Sequence, residues 1–253
     1  MITALILSGG TGTRLGSDIP KQYIMVNDRP IISYCLETII NCKKIDAVQI
    51  VAAKEWRDLI TEWVERYDFD KKFRGFSDPG ENRQLSIFNG LCDIGKGCFD
   101  DCGDIELRKP LKGYSHSCSE NDYVIIHDAA RPLLTQELLE SCLDGAQGHD
   151  GAMPVLPMKD TVYSSCDGKI VSGLLKRSEI YAGQAPEVFR LGKYYEANLK
   201  LMPERIYSIN GSAEPAIMAG MDVAMIPGDE GNYKITTAAD LERFKQKYER
   251  SPE

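Results

Sequence analysis

No stretch of this chain approaches the roughly 18 consecutive apolar residues that a membrane span requires. A basic surplus is lacking too. The formal charge is −8, which argues against a general nucleic-acid surface built from clustered Lys and Arg, so any polyanion has to be met by local charge. The opening run Met1 to Leu7 has no basic lead and passes straight into a glycine-rich turn, so it reads as a core strand and not as a secretory signal; the cytoplasm is the expected compartment. Paired C-x-x-C spacings are absent among the eight cysteines, which argues against zinc, and without a secretory signal these read as free thiols. What remains is 43% hydrophobic and 27% charged, a globular composition, and 253 residues are most simply one α/β domain over 1–253.

The chain is organised around Ser8 to Lys21, which follows the apolar run Ile2 to Leu7. A buried parallel strand ending in a glycine-rich turn presents backbone N–H groups where doubly wound sheets bind phosphate-bearing ligands. Gly9, Gly10 and Gly12 permit a close approach of the backbone to an anion, and Arg14 and Lys21 add two positive charges, a combination suited to a triphosphate. The dinucleotide fingerprint fails because Leu15 stands at its third glycine, and the P-loop fails because Gly16 is followed by Ser17 and Asp18 with no lysine.

Further along, Pro30 to Cys42 has helical periodicity, Ala47 to Ala53 reads as a strand, and Lys54 to Tyr67 as a helix in which Trp56 and Trp63 are packing residues. This is the alternation of a parallel sheet. The polar cluster Gly80 to Ser86 opens a helix running to Ile94, and puts Arg83 and Ser86 at a helix N-terminus suited to a base edge or an anion. A polar insert follows over about 95–121, carrying Cys98, Cys102, His116 and Cys118. The strand Asp122 to Ile126 runs into His127-Asp128-Ala129-Ala130-Arg131-Pro132, placing the Asp128 carboxylate at the sheet's carboxyl edge as a ligand for Mg2+. Thr135 to Gln147 reads as a helix and Gly151 to Leu156 as a strand. Asp160 to Leu175 alternates polar and apolar residues about Asp167-Gly168, a β-hairpin whose apolar face is expected to be covered by a second subunit. Thr237 to Asp240 reads as a capping box opening the last helix.

The run Leu7 to Gly16, with Pro20-Lys21-Gln22-Tyr23 behind it, resembles the signature loop of the sugar-phosphate nucleotidyltransferases, and within them the cytidylyltransferases of methylerythritol phosphate and ribitol phosphate. His127 to Pro132 is the most specific match, and the likeness extends over about Ile2 to Phe244. The resemblance implies an α/β, Rossmann-like, doubly wound and mostly parallel sheet, with a β-arm at about 157–180 that forms a homodimer. It also implies that Ser8, Gly9, Gly10, Thr11 and Gly12 bind the nucleotide, with Gly80, Glu81, Arg83 and Ser86 on the cytosine. Arg14, Lys21, Lys159 and Lys234 are then the catalytic set. Asp128 binds metal and substrate, and Arg131, Lys159 (from across the dimer), Asn210 and Lys234 meet the acceptor. Relatives carry Thr-Asp-Asp-Ala-Ser where this chain has Asn210-Gly211-Ser212-Ala213-Glu214, and Gly183 to Phe189 matches their Thr-Pro-Gln-x-Phe region only loosely.

The expected reaction joins CTP to a polyol phosphate and releases pyrophosphate, with no nucleophilic side chain required. Two acceptors stay open. His127 to Pro132 and Pro154 to Thr161 resemble the methylerythritol enzymes of isoprenoid synthesis, and these site-proximal pieces put 2-C-methyl-D-erythritol 4-phosphate first. Arg29 to Ile32 and Lys54 to Trp56 look more like the ribitol enzymes of cell-wall or capsule synthesis. A nucleotide-binding protein without turnover, its acceptor site decayed at Asn210-Gly211, is the alternative class; retention of Arg14, Lys21, Asp128 and Lys234 argues against it.

Overall fold

The computed structural model describes residues 1–10, 19–68, 71–95 and 122–249, and the polar insert, Thr11, Gly12 and Arg14 therefore lie outside the described residues. β1 (Ile2–Leu7) is the predicted apolar strand. β2 (Met25–Val26) and β3 (Arg29–Pro30) form a short hairpin whose turn residues Asn27 and Asp28 both take positive φ, as a two-residue hairpin requires. α1 (Ile31–Asn41) starts behind Pro30 and β4 (Ala47–Val51) is buried throughout. α2 (Arg57–Tyr67) begins three residues later than expected, because Lys54–Trp56 is a tight 3-10 turn. β5 (Phe73–Ser77), which lacks a clear apolar alternation, leads to α3 (Arg83–Ile94), whose first turn is formed by the polar cluster itself.

β6 (Tyr123–Asp128) continues two residues past its apolar run, so that His127 and Asp128 belong to the strand. α4 (Gln136–Gly145) is capped by the Thr135 hydroxyl, and β7 (Gly151–Pro157) follows. β8 (Tyr163–Ser164) and β9 (Gly173–Leu174) are the predicted hairpin, paired over only two residues each. The Asp167 carboxylate closes its turn by accepting from the Lys169 and Ile170 amides. β10 (Tyr181–Gly183), β11 (Glu187–Arg190), α5 (Leu191–Leu199), α6 (Glu214–Met218), β12 (Val223–Pro227) and α7 (Ala238–Glu249) complete the chain.

One mixed sheet runs β10-β7-β11-β6-β1-β4-β5, with β12 also on β7. β1, β4, β5 and β6 are parallel, whereas β11 enters antiparallel between β6 and β7. Alternate residues feed opposite cores: Ala4, Ile6 and Ile125 pack with α1, α2 and α4, while Leu5, Val124 and Ile126 pack with α3 and α5. The consequence for function is the carboxyl edge, where Leu7 is paired with Asp128 and with Val51. The ends of β1, β4 and β6 therefore deliver three loops to one place.

Among the described cysteines, Cys35, Cys42, Cys92, Cys142 and Cys166 form no disulfide, and burial pushes the Cys35 and Cys142 thiols up to about 12. At the other end of the chain the Asp240 carboxylate accepts from the amides and hydroxyls of Thr236 and Thr237, while the Thr237 hydroxyl accepts from the Asp240 amide at 3.2 Å. Partial burial opposes its ionisation, but these bonds outweigh it and hold the carboxyl down at about 2. Thr237→Ala should lower unfolding stability by about 1 kcal/mol in urea melts at neutral pH. Because the folded pKa is depressed, the Asp240 contribution is present above about pH 4 and is lost as pH falls toward 2; Asp240→Asn should flatten that part of the stability profile.

Candidate active site

The glycine-rich turn is held at its entry by the signature residues behind it. The Gln22 amide donates to the Ser8 carbonyl at 2.8 Å and to the Gly10 carbonyl at 2.7 Å, and the Tyr23 hydroxyl lies 2.8 Å from both the Ser8 hydroxyl and its carbonyl. Tyr23 is fixed in turn by stacking on Trp56 at 4.4 Å, which gives Trp56 the packing role expected of it. Lys21 opens this 3-10 turn, so the clamp that shapes the glycine turn also sets the backbone carrying the lysine. Gln22 and Tyr23 were legible only as a motif; their work depends on contacts made back across the turn.

The second loop abuts the first. A Cβ on Gly9 would lie 2.5 Å from the Pro79 side chain, and one on Gly80 would lie 2.6 Å from Leu85, so both positions exclude a side chain. Ser86 accepts from the Gly80 amide at 3.0 Å and donates to the Asn82 carbonyl at 2.9 Å, while the Asn82 side chain caps α3 through the Leu85 amide at 2.7 Å. Arg57 and Asn89 hold Asp78 from either side, through its carboxylate at 2.6 Å and its carbonyl at 3.1 Å. Ser86 is thus committed to shaping the loop, whereas Glu81 is exposed.

Asp128 is the centre of charge. Arg83 reaches one of its oxygens with Nε at 3.1 Å and Nη2 at 3.0 Å, Lys234 donates to the other at 2.9 Å, and Arg131 Nε stands 3.9 Å from that same oxygen. Burial alone would raise the carboxyl, but Arg83, Lys234 and Arg131 hold it well below the usual carboxylate range. Arg83 is therefore turned toward the Asp128 carboxylate, a partner that its place in the Gly80 to Ser86 segment did not indicate. The turn after β6 is closed by the Arg131 amide on the Asp128 carbonyl at 2.9 Å and by His127 Nε2 against the Arg131 carbonyl at 3.1 Å. A carbonyl can only accept, so Nε2 carries the proton; burial pushes this imidazole down to about 4 and it stays neutral.

Lys234 arrives from the loop after β12 because that loop is pinned on both sides. The Ile235 amide donates to the Ala130 carbonyl, Arg131 Nη1 to the Asn232 carbonyl at 2.7 Å, Gln184 to the Asp229 carbonyl at 2.8 Å, and Asn232 to the Ala185 carbonyl at 2.7 Å. Glu187, which sequence reading passed over, faces the same cluster. It pairs with Ile126, so its side chain shares a sheet face with Asp128, and it accepts from the Ser212 hydroxyl. Burial pushes its carboxyl up to about 7, against the pull of Arg83. A lone acid beside Val188 and Phe189 in a buried strand was the available signal. Lys159 is not part of the cluster; its exposed ammonium pairs with Glu230 of the same chain. Asn210 is exposed and donates to the Ser208 carbonyl at 3.1 Å.

No group of three or more His, Cys, Asp and Glu side chains suited to a metal ion occurs among the described residues. The donor set therefore does not fit a protein-only metal cage. A magnesium ion brought with phosphate groups needs only one or two carboxylates, and Asp128 would be the one to hold it. Phosphate groups entering here would compete for Arg83 and Lys234 and free the Asp128 oxygens.

Comparison with known proteins adds the chemistry to which this edge corresponds. Curated relatives include a "Ribitol-5-phosphate cytidylyltransferase" of Lacticaseibacillus paracasei, 28% identical over 247 residues and 97% of each chain, and one of Streptococcus pneumoniae, 28% identical over 99% of this chain and 100% of its own. Among solved structures, a 4-diphosphocytidyl-2C-methyl-D-erythritol synthase of Anaerococcus prevotii has a TM-score of 0.75 at 24% identity, covering 98% of both chains. A 2-C-methyl-D-erythritol 4-phosphate cytidylyltransferase of Francisella tularensis has 0.73 at 23%, covering 97% of this chain and 98% of that one. These two likenesses establish the Rossmann-like fold. The MobA-like NTP transferase domain matches residues 4–176, which take in the glycine turn, the Gly80 loop and Asp128, and the model for IspD, 2-C-methyl-D-erythritol 4-phosphate cytidylyltransferase, matches residues 111–247, which take in Asp128, Arg131 and Lys234. With more than half of its length matched in each case, the chain belongs to the IspD family of cytidylyltransferases and carries a MobA-like NTP transferase domain.

Proposed function

We propose that the protein transfers a cytidylyl group from CTP to a polyol phosphate, with ribitol 5-phosphate as acceptor, and releases pyrophosphate. The observation that carries this reading is the Asp128 carboxylate ringed by Arg83, Arg131 and Lys234 at the edge where the glycine turn and the Gly80 loop meet. Such a cluster binds phosphate by charge exchange and requires no covalent intermediate. The acceptor's phosphate oxygen attacks the α-phosphorus in line; the new P–O bond forms as the bond to the bridging oxygen breaks, and its electron pair leaves on pyrophosphate. Lys21, with Arg14 as the sequence supplies it, neutralises the charge that grows on the α-phosphate and the leaving group. The glycine turn, Ser8 to Gly12, holds the triphosphate; Gly80 and Glu81 form the cytosine side in a loop shaped by Ser86, and Arg83 joins that loop to the Asp128 cluster. Arg131 and Lys234 receive the acceptor phosphate, and Asn210 faces its hydroxyls. Asp128 would hold a magnesium ion, which when bound would supply further charge neutralisation.

The arm is proposed to pair two copies. Tyr163, Ile170, Val171 and Leu174 are 59–71% exposed, an apolar surface that a second arm would cover, and Lys159 at its base would reach the partner's acceptor phosphate. The proposed setting is the cytoplasm, where CTP is made, with no nucleic-acid or membrane partner; no described helix is long and apolar enough to cross a membrane.

Sequence alone put methylerythritol phosphate ahead of ribitol phosphate. The order is reversed because the curated relatives that match over 97–100% of their length carry the ribitol name. The methylerythritol reading keeps the support of the family model and of the His127 to Pro132 run.

Measured side by side with CTP, kcat/KM for ribitol 5-phosphate should exceed that for 2-C-methyl-D-erythritol 4-phosphate by more than about tenfold, roughly 1.4 kcal/mol of transition-state binding. A preference for the branched polyol would overturn the choice. Arg14→Ala and Lys21→Ala should each lower kcat by at least about a hundredfold, the scale of losing one preorganised charge donor. Near wild-type kcat in both would remove the triphosphate assignment. Deleting residues 160–175 should give monomers in sedimentation that have lost turnover; active monomers would show the arm to be a plain surface hairpin.

A further inference from the structure

Glu187 and Ser212 form a buried pair that the transfer mechanism leaves unused. Glu187 is 7% exposed and Ser212 2% exposed, and the Ser212 hydroxyl donates to the Glu187 carboxylate. The Ser212 carbonyl accepts the Tyr194 hydroxyl at 2.7 Å, and Gln84 donates to Asn198 at 2.5 Å and to the Tyr194 oxygen at 3.3 Å. Residue 212 is therefore gripped at both its side chain and its carbonyl. Asn210 and Gly211, immediately before it, are exposed, and their amides rest on the Glu214 carboxylate at 2.8 and 3.4 Å.

A glutamine at 187 could accept the same hydroxyl bond, so that bond alone does not require a charged group. Burial and the second acid of the cluster, Asp128, oppose ionisation of Glu187, whereas Arg83, Arg131 and Lys234 favour it, and the residue stands on the same sheet face as Asp128. The anchor of the exposed turn is thus built into the back of the charged cluster. Loss of the Ser212 bond would loosen this turn, while the glycine turn and the Asp78 to Gly80 loop rest on other contacts, from Gln22, Tyr23, Arg57 and Asn89.

We propose that Glu187 is a positioning residue for the acceptor: by holding Ser212 it fixes the 210–212 turn against the Asp128 cluster, and this sets the affinity for the polyol phosphate independently of the nucleotide. The inference rests on the transferase reading above.

The test combines steady-state kinetics with amide exchange. Glu187→Ala and Ser212→Ala should each raise KM for ribitol 5-phosphate by at least about tenfold while KM for CTP stays within about twofold. Glu187→Gln, which keeps an acceptor for the Ser212 hydroxyl, should retain most of the acceptor affinity. Unchanged acceptor KM in both alanine variants, or equal rises in the two KM values, would overturn the proposal. Hydrogen exchange needs no substrate. In Ser212→Ala, the amides of residues 209–213 should exchange at least about tenfold faster, with those of 78–86 unchanged, and an unchanged 209–213 segment would likewise overturn it. If Glu187→Ala does not fold, Ser212→Ala, which removes one hydroxyl, carries both measurements. Absence of pyrophosphate release by the wild-type protein with CTP and either polyol phosphate would instead defeat the transferase reading, and the exchange result would still decide the anchor.

Discussion

A carboxylate buried at the end of a strand is the constraint from which the site follows. Removing Asp128 from water costs several kcal/mol unless opposite charge is supplied at short range, and here that charge comes from three separate parts of the chain, in Arg83, Arg131 and Lys234. Each donor must then be held by its own backbone. Arg83 is the first residue of a capped helix, Arg131 closes the turn after β6, and Lys234 sits in a loop bonded to Ala130 on one side and tied through Asp229 and Asn232 to Gln184 and Ala185 on the other. Mutual compensation makes the cluster stable without ligand and leaves it with cations that phosphate oxygens can recruit.

The start of α3 joins the two substrate sides. Asn82 caps the helix and donates to the Ile206 carbonyl, Arg83 holds Asp128, and Gln84 bonds Asn198 and Tyr194. Three consecutive side chains thus tie together the Gly80 loop, the charged cluster and the segment around Asn198 and Ile206. Spacing explains how neighbours can point so differently: positions before and within a first helical turn diverge by about 100° each, so one short polar stretch serves three directions. Gly9 against Pro79 completes the junction, since the glycine turn can approach the base loop only without a Cβ.

A chain of net charge −8 concentrates three cations, Arg83, Arg131 and Lys234, around one buried carboxylate. Their attraction acts locally, in the partly buried space around Asp128 where each interaction is stronger than in bulk water. The remainder of the surface need not be basic.

The sequence by itself determined the elements that local chemistry dictates. The apolar run Ile2 to Leu7, the glycine turn, the strand that ends at Asp128, the Asp167-Gly168 hairpin and the Thr237 to Asp240 capping box all express periodicity or backbone preferences set by near neighbours. Asp128 stood out as an acid at a strand's carboxyl end, and Arg131 and Lys234 only through the family resemblance; that the three meet is seen in the structure. Only the tertiary structure decided that Arg83 turns to Asp128, that Lys159 pairs with Glu230, that Gln22 and Tyr23 clamp the glycine turn, and that Glu187 holds Ser212. Those contacts join residues up to 71 positions apart, as with Lys159 and Glu230, and the antiparallel entry of β11 between β6 and β7 brings Glu187 opposite Ile126. No local preference encodes such a pairing; it exists because burying both faces of one sheet leaves each of these side chains a single place to satisfy its charge or hydrogen bond.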